Sequence, residues 1–203
     1  MSRRRRSRSR EAEVDPFYDM LFNMLIAFVF CFIIALLAMN PRALKAGDIP
    51  AKAEFIVTIS WPDMNPNDID AWAQDPGGNL VWFRAREAGL MHLDRDDRGL
   101  ANDSIVVNGK AIVNPLNQEV ITLRGIAVGE YTVNAHYYDS KDGQPVAVTV
   151  SVVKVNPRAE VVYYGSLTLA RKGDEATAVR FTVLPDGSAT DINTLPKQLV
   201  QRI

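Results

Sequence analysis

The sequence predicts a single N-terminal transmembrane α-helix followed by an all-β antiparallel sandwich. Every residue from Met20 to Met39 is apolar except Asn23, which is the pattern of a membrane-spanning helix. From Ala53 onward, short segments rich in β-branched residues alternate with turn signals such as Asn108-Gly109, as in antiparallel sheets. The length of 203 residues allows one folded domain and a smaller segment.

Composition excludes several classes of protein. Hydrophobic residues make up 47% of the chain and charged residues 23%, which excludes a wholly disordered chain and a multi-span membrane protein. The lone Cys31 leaves no internal disulfide and no cysteine-based zinc site, and we interpret it as an apolar filler of the helix. The net charge of −1 argues against nucleic-acid binding.

Residues 1–15 are interpreted as a basic cytoplasmic tail. Six arginines lie in the first ten positions, and such a charge run is expected to be disordered. Because positive residues remain on the cytoplasmic side of a membrane, the N-terminus is predicted to be cytoplasmic and the residues after about 42 to lie on the far side. Binding of the arginines to anionic lipid is a second role for this tail.

The transmembrane helix is predicted at 16–39. Asp15 is a favoured N-cap, Pro16 suits the first helical position, and Asn40-Pro41 is a helix stop. A helix of 24 residues is about 36 Å long, enough to cross a hydrocarbon core of about 30 Å. A cleavable signal peptide is the alternative and predicts a mature chain starting near residue 40. Its apolar region would be only about 7–15 residues long, so the uncleaved anchor is favoured.

Asp19 lies one turn inside this helix and has two interpretations. It is an interfacial acid that the helix N-terminus favours, or it is an ion-carrying carboxylate, since ionisable groups in spanning helices are costly without a function. Asn23 lies four residues later on the same face, so the two form a short polar stripe. By itself, Asn23 is also explained as a helix–helix contact.

Residues 14–28 resemble the start of the transmembrane helix in the ExbD/TolR family, which is related to MotB. Pro16, Phe17 and Asp19 match the family pattern Pro-Phe-Ile-Asp, and Tyr18 replaces the usual aliphatic residue. The resemblance implies that Asp19 carries the coupling ion. It also implies a bacterial inner-membrane homodimer within a ring of multi-span ExbB/TolQ/MotA-like subunits. Asn23 replaces an apolar residue of ExbD and leaves the choice between H⁺ and Na⁺ open.

A linker is predicted at 40–52, the sandwich at 53–187, and a C-terminal tail at 188–203 that forms a loose arm or a short helix. Candidate strands lie at 53–61, 69–75, 79–84, 104–109, 119–124, 129–138, 145–155, 160–170 and 178–184. Alternation in 129–138 predicts a buried face of Tyr131, Val133, Ala135 and Tyr137 and a wetter face of Thr132, Asn134, His136 and Tyr138.

Five segments within about 54–155 form a pattern of acids, turns and strands: Asp68-Ile69-Asp70-Ala71-Trp72, Asp75-Pro76-Gly77-Gly78, Val81-Trp82-Phe83, Leu93-Asp94-Arg95-Asp96-Asp97-Arg98-Gly99 and Gly129-Glu130-Tyr131-Thr132-Val133. On these residues the region resembles the YfaP-like β-sandwich domains of secreted bacterial proteins. The resemblance implies export and an immunoglobulin-like sandwich. The region does not resemble the ExbD/TolR periplasmic domain or the peptidoglycan-binding domain of MotB, so its periplasmic or cell-wall target is open.

Acidic residues of this domain form a candidate calcium site. Ca²⁺ takes six to eight oxygen ligands, and loops at one end of a sandwich are expected to bring Asp68, Asp70, Asp94 and Asp96 together. Asp75 and Asp97 belong to the same acidic group. The favoured alternative is a set of turn and surface acids that are balanced by arginines, namely Arg84, Arg86, Arg95 and Arg98.

Enzymatic activity is not predicted. The two histidines, His92 and His136, have no metal-ligand spacing, and no nucleophile motif is found. Trp61, Trp72 and Trp82 are expected in the core, with sugar binding as the alternative. Two functions therefore remain: a B-type subunit of an ion-driven motor, or a passively anchored binding module.

Overall fold

The computed structural model describes residues 16–39, 52–101 and 103–200. The chain divides into two compact units between Ala46 and Gly47. Predictions about the basic tail 1–15, the linker at 40–51 and the last three residues lie outside the described residues.

The first unit contains helix α1, Pro16–Met39, which confirms the predicted helix and its bounds. The side chains of residues 16–35 are exposed. By length and composition the segment Pro16–Ala35 is apolar enough to span a membrane. A helix whose surface is mostly apolar is expected against lipid or other helices, since water would solvate it poorly.

The second unit, here called the β-domain (52–101 and 103–200), is built from thirteen described strands. Their bounds are β1 Phe55–Trp61, β2 Asp68–Gln74, β3 Leu80–Val81, β4 Glu87–Ala88, β5 Met91–Arg95, β6 Ser104–Val107, β7 Lys110–Val113, β8 Asn117–Leu123, β9 Gly129–Asp139, β10 Val146–Lys154, β11 Glu160–Leu169, β12 Glu175–Val183 and β13 Ala189–Asn193.

The strands form two main antiparallel sheets and a separate hairpin. The six-stranded sheet has the order β11-β10-β1-β8-β5-β4, and the five-stranded sheet has the order β13-β12-β9-β2-β3. Both contribute to one hydrophobic core. The rings of Phe55 on β1 and Phe181 on β12 join the sheets at a centroid distance of 5.9 Å. The predicted all-β antiparallel body is confirmed.

Period-two alternation explains which residues enter the core. In β1 and β8 every second residue is buried, because successive side chains of a strand point to opposite faces. Trp61 and Trp72 are buried as predicted. Trp82 is half-buried, and its ring stacks on that of Trp72 at 4.5 Å.

The hairpin β6–β7 is turned by Asn108-Gly109, as its sequence predicts. Both residues have positive φ, 51° and 75°, which is the conformation that two-residue hairpin turns require. Every residue of both strands is exposed.

The prediction for the C-terminal tail 188–203 is wrong in part. Instead of a loose arm or helix, β13 pairs antiparallel with β12 across the turn at Asp186-Gly187. The next segment, 194–200, has no regular structure but is fixed by long-range hydrogen bonds. Glu175 Oε1 accepts one from the Leu199 amide at 2.6 Å, and Leu199 is only 5% exposed.

This segment also corrects the predicted wet face of β9. The inward set from Tyr131 to Tyr137 is buried as predicted, but Thr132 and Asn134 are buried as well. Asn134 Nδ2 donates to the Lys197 carbonyl at 2.7 Å, and Lys197 Nζ donates to Thr132 Oγ1 at 3.2 Å. The chain end therefore covers part of the outer face of the sheet.

Candidate functional site

Asp19 and Asn23 are the two polar side chains of the described helix between residues 19 and 35. Asp19 lies in the first turn, and Asn23 lies one turn later on the same side. Their separation along the helix axis is about 6 Å. An acid and an amide on an otherwise apolar surface give this helix one polar stripe.

In the β-domain, three carboxylates come together where β2 approaches β8. Asp70, Asp96 and Glu119 each place one oxygen within 4.8 Å of the others. Asp70 is 2% exposed and Glu119 is 1% exposed, whereas Asp96 is half-buried. We call these three residues the acidic cluster.

Three different elements supply the acidic cluster. Asp70 lies on β2, opposite His136 of β9. Glu119 lies on β8 in the buried phase of the strand, which it shares with Asn117 and Ile121. Asp96 lies in the loop that follows β5. The cluster therefore joins the five-stranded sheet to the six-stranded sheet.

Glu119 is only partly satisfied by hydrogen bonds. Its Oε2 accepts the amide hydrogen of Ala71 at 2.5 Å, while its buried Oε1 has no partner. Burial raises the pKa of Glu119 well above its usual value, and the charge of Asp70 adds to this. The Ala71 amide opposes the rise, because it stabilises the charged form.

Asp68 and Asp70 share this environment. Burial, together with the charges of Asp70 and Asp96, raises the pKa of Asp68 to about 7, although Arg98 opposes the rise. Burial also raises the pKa of Asp70, and His136 opposes it. Asp70 Oδ2 lies 3.6 Å from His136 Nδ1, too far for a hydrogen bond, and has no other partner.

No lysine or arginine among the described residues forms an ion pair with the acidic cluster or with Asp68. Arg95, which is close in sequence, pairs with Asp97 at 2.6 Å. The balance by arginines that the sequence favoured thus holds for Asp97 but leaves these carboxylates without an ion pair to lysine or arginine.

Asp94 lies apart from the cluster, although the sequence predicted it as a ligand. It accepts hydrogen bonds from Thr122 Oγ1 at 2.6 Å and Arg124 Nη2 at 2.7 Å, and its Oδ1 lies 2.8 Å from His92 Nδ1. Burial alone would raise the pKa of Asp94, but these hydrogen bonds lower it. Asp75 is engaged in a turn, where both its oxygens accept hydrogen bonds from Asn79.

Glu119 was missed as a site residue, although the sequence carries a signal for it. In the segment 119–124, Glu119 is in phase with Ile121 and Leu123, which are the inward apolar residues of the strand. A carboxylate at an inward position is costly unless it is paired or bound to a cation. This phase relationship marks Glu119 as a candidate ligand.

Gly99 holds the loop of Asp96 against the start of β2. A side chain at Gly99 would place its Cβ 2.8 Å from the Pro66 carbonyl oxygen and 2.9 Å from that of Asn67. Its φ of +65° is also unfavourable for other residues. Only glycine permits this approach.

We expect Gly99→Ala to lower the free energy of unfolding by about 2 kcal/mol, since strain at positive φ and the backbone contact add. Gly143→Ala is the matched control. Gly143 has a φ of +68° and no neighbouring atom within 4 Å of the added Cβ, so about 1 kcal/mol is expected. Chemical denaturation followed by tryptophan fluorescence measures both variants. Equal losses would show that the close approach of the loop contributes nothing.

No protein-family model, no curated protein and no solved structure matches this chain. The likenesses to the ExbD/TolR family and to YfaP-like domains therefore rest on the quoted residues alone.

Proposed function

We propose that this chain is the B-type subunit of an ion-driven motor in the bacterial inner membrane. Asp19 carries the coupling ion, and the β-domain, as an immunoglobulin-like sandwich in the periplasm, transmits motion or force. One observation carries the proposal: Asp19 and Asn23 form a polar stripe on a helix that is otherwise apolar and long enough to span a membrane.

The chemistry of a carboxylate in a spanning helix supports this role. A carboxylate can bind a proton and release it again, so in this proposal Asp19 takes up a proton on one side of the membrane and releases it on the other. Each change of charge alters its attraction to polar groups on surrounding helices. The membrane potential supplies about 2.3 kcal/mol per charge per 100 mV. If sodium is the ion, the Asn23 amide oxygen offers a further ligand.

A polar stripe on an apolar helix requires protein or water around it, because lipid does not solvate a carboxylate. We propose that two copies of α1 pair and that a ring of multi-span ExbB/TolQ/MotA-like subunits surrounds them. The β-domain then acts on a periplasmic or cell-wall component. Its two sheets share one core, which suits transmission of force without local unfolding.

A passively anchored periplasmic module is the second candidate. Its supporting observation is the position of Asp19 in the first helical turn, where the helix dipole favours an acid at the membrane interface. Asn is also suited to a helix start. A passive anchor therefore tolerates Asp19→Asn, whereas a motor loses ion flux with the same substitution. Comparison of the two chains in native membranes tests the proposal.

A further inference from the structure

We propose that the β-domain binds one hard divalent cation, of the Ca²⁺ type, through Asp70, Asp96 and Glu119. The inference concerns the β-domain alone and does not depend on the proposed motor function.

The separation of the oxygens permits a shared ion. One oxygen of each carboxylate lies within 4.8 Å of the others. Ca²⁺ binds oxygen at about 2.3–2.6 Å, so two of its ligands lie at most about 5 Å apart. Carboxylate oxygens are the ligands that this ion prefers, and the cluster presents three of them.

The second observation is that buried oxygens in the cluster lack partners. Glu119 Oε1 and Asp70 Oδ2 are buried and accept no hydrogen bond, and both side chains are almost fully removed from water. A buried carboxylate without a partner is costly. A cation between the three carboxylates would satisfy these oxygens and offset their mutual repulsion.

The groups around the cluster do not replace such an ion. His136 Nδ1 is 3.6 Å from Asp70 Oδ2 and is itself without a hydrogen-bond partner. Arg98 acts on Asp68 at long range, and Arg95 is paired with Asp97. Asp139 is paired with Lys141 and Lys172.

A bound ion would connect the two sheets. It would join β2 of the five-stranded sheet to β8 of the six-stranded sheet and to the loop after β5. We therefore expect the ion to stabilise the folded β-domain, because a ligand that binds only the folded state raises its stability.

The competing explanation is that the carboxylates remain protonated and hydrogen-bond one another. The two explanations differ for Glu119→Gln, which removes the charge and retains an oxygen for the Ala71 amide. The variant is expected to fold under either explanation, because the amide replaces a neutral acid in one case and removes a negative charge in the other. Only the cation explanation predicts that it loses a response to Ca²⁺.

The experiment uses the full chain in nanodiscs of zwitterionic lipid, so that the lipid does not bind the cation. After EDTA treatment, Ca²⁺ and, separately, Mg²⁺ are titrated by calorimetry and during thermal unfolding. All three tryptophans, Trp61, Trp72 and Trp82, lie in the β-domain, so their fluorescence reports its unfolding. Glu160→Gln, an exposed glutamate on β11, is the matched control.

We expect saturable binding of one Ca²⁺ with a Kd of about 10⁻⁴–10⁻³ M, the range of extracellular modules. At about 10 mM Ca²⁺ the unfolding temperature should rise by about 5 °C. Glu119→Gln should weaken binding at least about tenfold and lose the thermal shift, while Glu160→Gln should behave as the wild type does.

Two results would overturn the proposal. One is a wild-type chain that shows neither binding nor a thermal shift with either cation. The other is an equal response in wild type and Glu119→Gln, which would place the binding elsewhere on the chain.

Discussion

Replacing Asp19 by asparagine is expected to reduce ion flux through the complex to background. Asparagine cannot exchange a proton and carries no charge for the membrane potential to act on. The helix should still insert, because the substitution removes a charge from the span and lowers the cost of insertion. The measurement is ion uptake into liposomes that contain the purified complex, driven by a potassium diffusion potential and followed with an internal pH dye and, in parallel, an internal sodium dye.

Two further variants define what a loss of flux means. Asp19→Glu keeps the carboxylate and should retain part of the flux. The flux should be lower than in the wild type, because one extra methylene displaces the carboxylate. Asn23→Leu keeps Asp19 and removes the neighbouring amide. If the coupling ion is sodium, Asn23→Leu should lose selectivity for sodium. If the coupling ion is the proton, the variant should conduct nearly normally. Normal flux in Asp19→Asn would instead identify Asp19 as an interfacial helix cap.

The second large effect concerns the stability of the β-domain as pH changes. With divalent cations removed by EDTA, we expect stability to fall as pH rises from about 4 to about 7. Burial and the charges of Asp70 and Asp96 raise the pKa of Asp68 from 3.8 to about 7. Between these values the folded chain holds a proton that the unfolded chain has lost, so a rise in pH favours unfolding. Asp70 and Glu119 have raised pKa values as well and act in the same direction.

Asp68→Asn should remove much of this fall. A pKa rise of this size corresponds to a change in the free energy of unfolding on the order of 3 kcal/mol. The variant should therefore equal the wild type near pH 4 and exceed it above pH 7 by about that amount.

Urea unfolding across the pH range, followed by tryptophan fluorescence, measures the difference between the two chains. Asp63→Asn, at an exposed acid in the loop after β1, is the control and should follow the wild-type curve. Below about pH 4 both chains should lose stability, because ion pairs with Lys141 and Lys172 lower the pKa of Asp139 to about 2. Parallel curves for wild type and Asp68→Asn would refute this account of Asp68.

Local signals in the sequence were sufficient for much of the fold. The helix α1 follows from its length, its apolar composition and Pro16. The long strands β1, β8, β9 and β10 follow from alternation, and the turn of hairpin β6–β7 follows from Asn108-Gly109. Each of these features depends on residues that are neighbours in the chain.

The features that the sequence left unpredicted depend on distant partners. Strands β4, β5 and β13 are short and rich in polar residues, and they are ordered by pairing with longer strands. The segment 194–200 is fixed by Asn134, Thr177 and Glu175, which no local pattern connects with it.

The acidic cluster, too, could be predicted only in part from local sequence. Asp70 and Asp96 were among the predicted ligands, because acids in loops at one end of a sheet were expected to converge. Glu119 joins them only because β8 faces β2 across the core. Asp94 lies where the pairing of β5 with β8 shifts register, between Leu93 and Arg95, and it pairs with Arg124.

The proposed motor works inside a ring of multi-span subunits, and isolation of the complex is the decisive test. The tagged full chain is purified gently from its native membrane, and the subunits and their stoichiometry are determined by native mass spectrometry. We expect two copies of this chain with a stoichiometric multi-span partner. The Asp19→Asn variant should retain the same complex. Recovery of the intact anchored chain alone would contradict the motor and favour a passively anchored module.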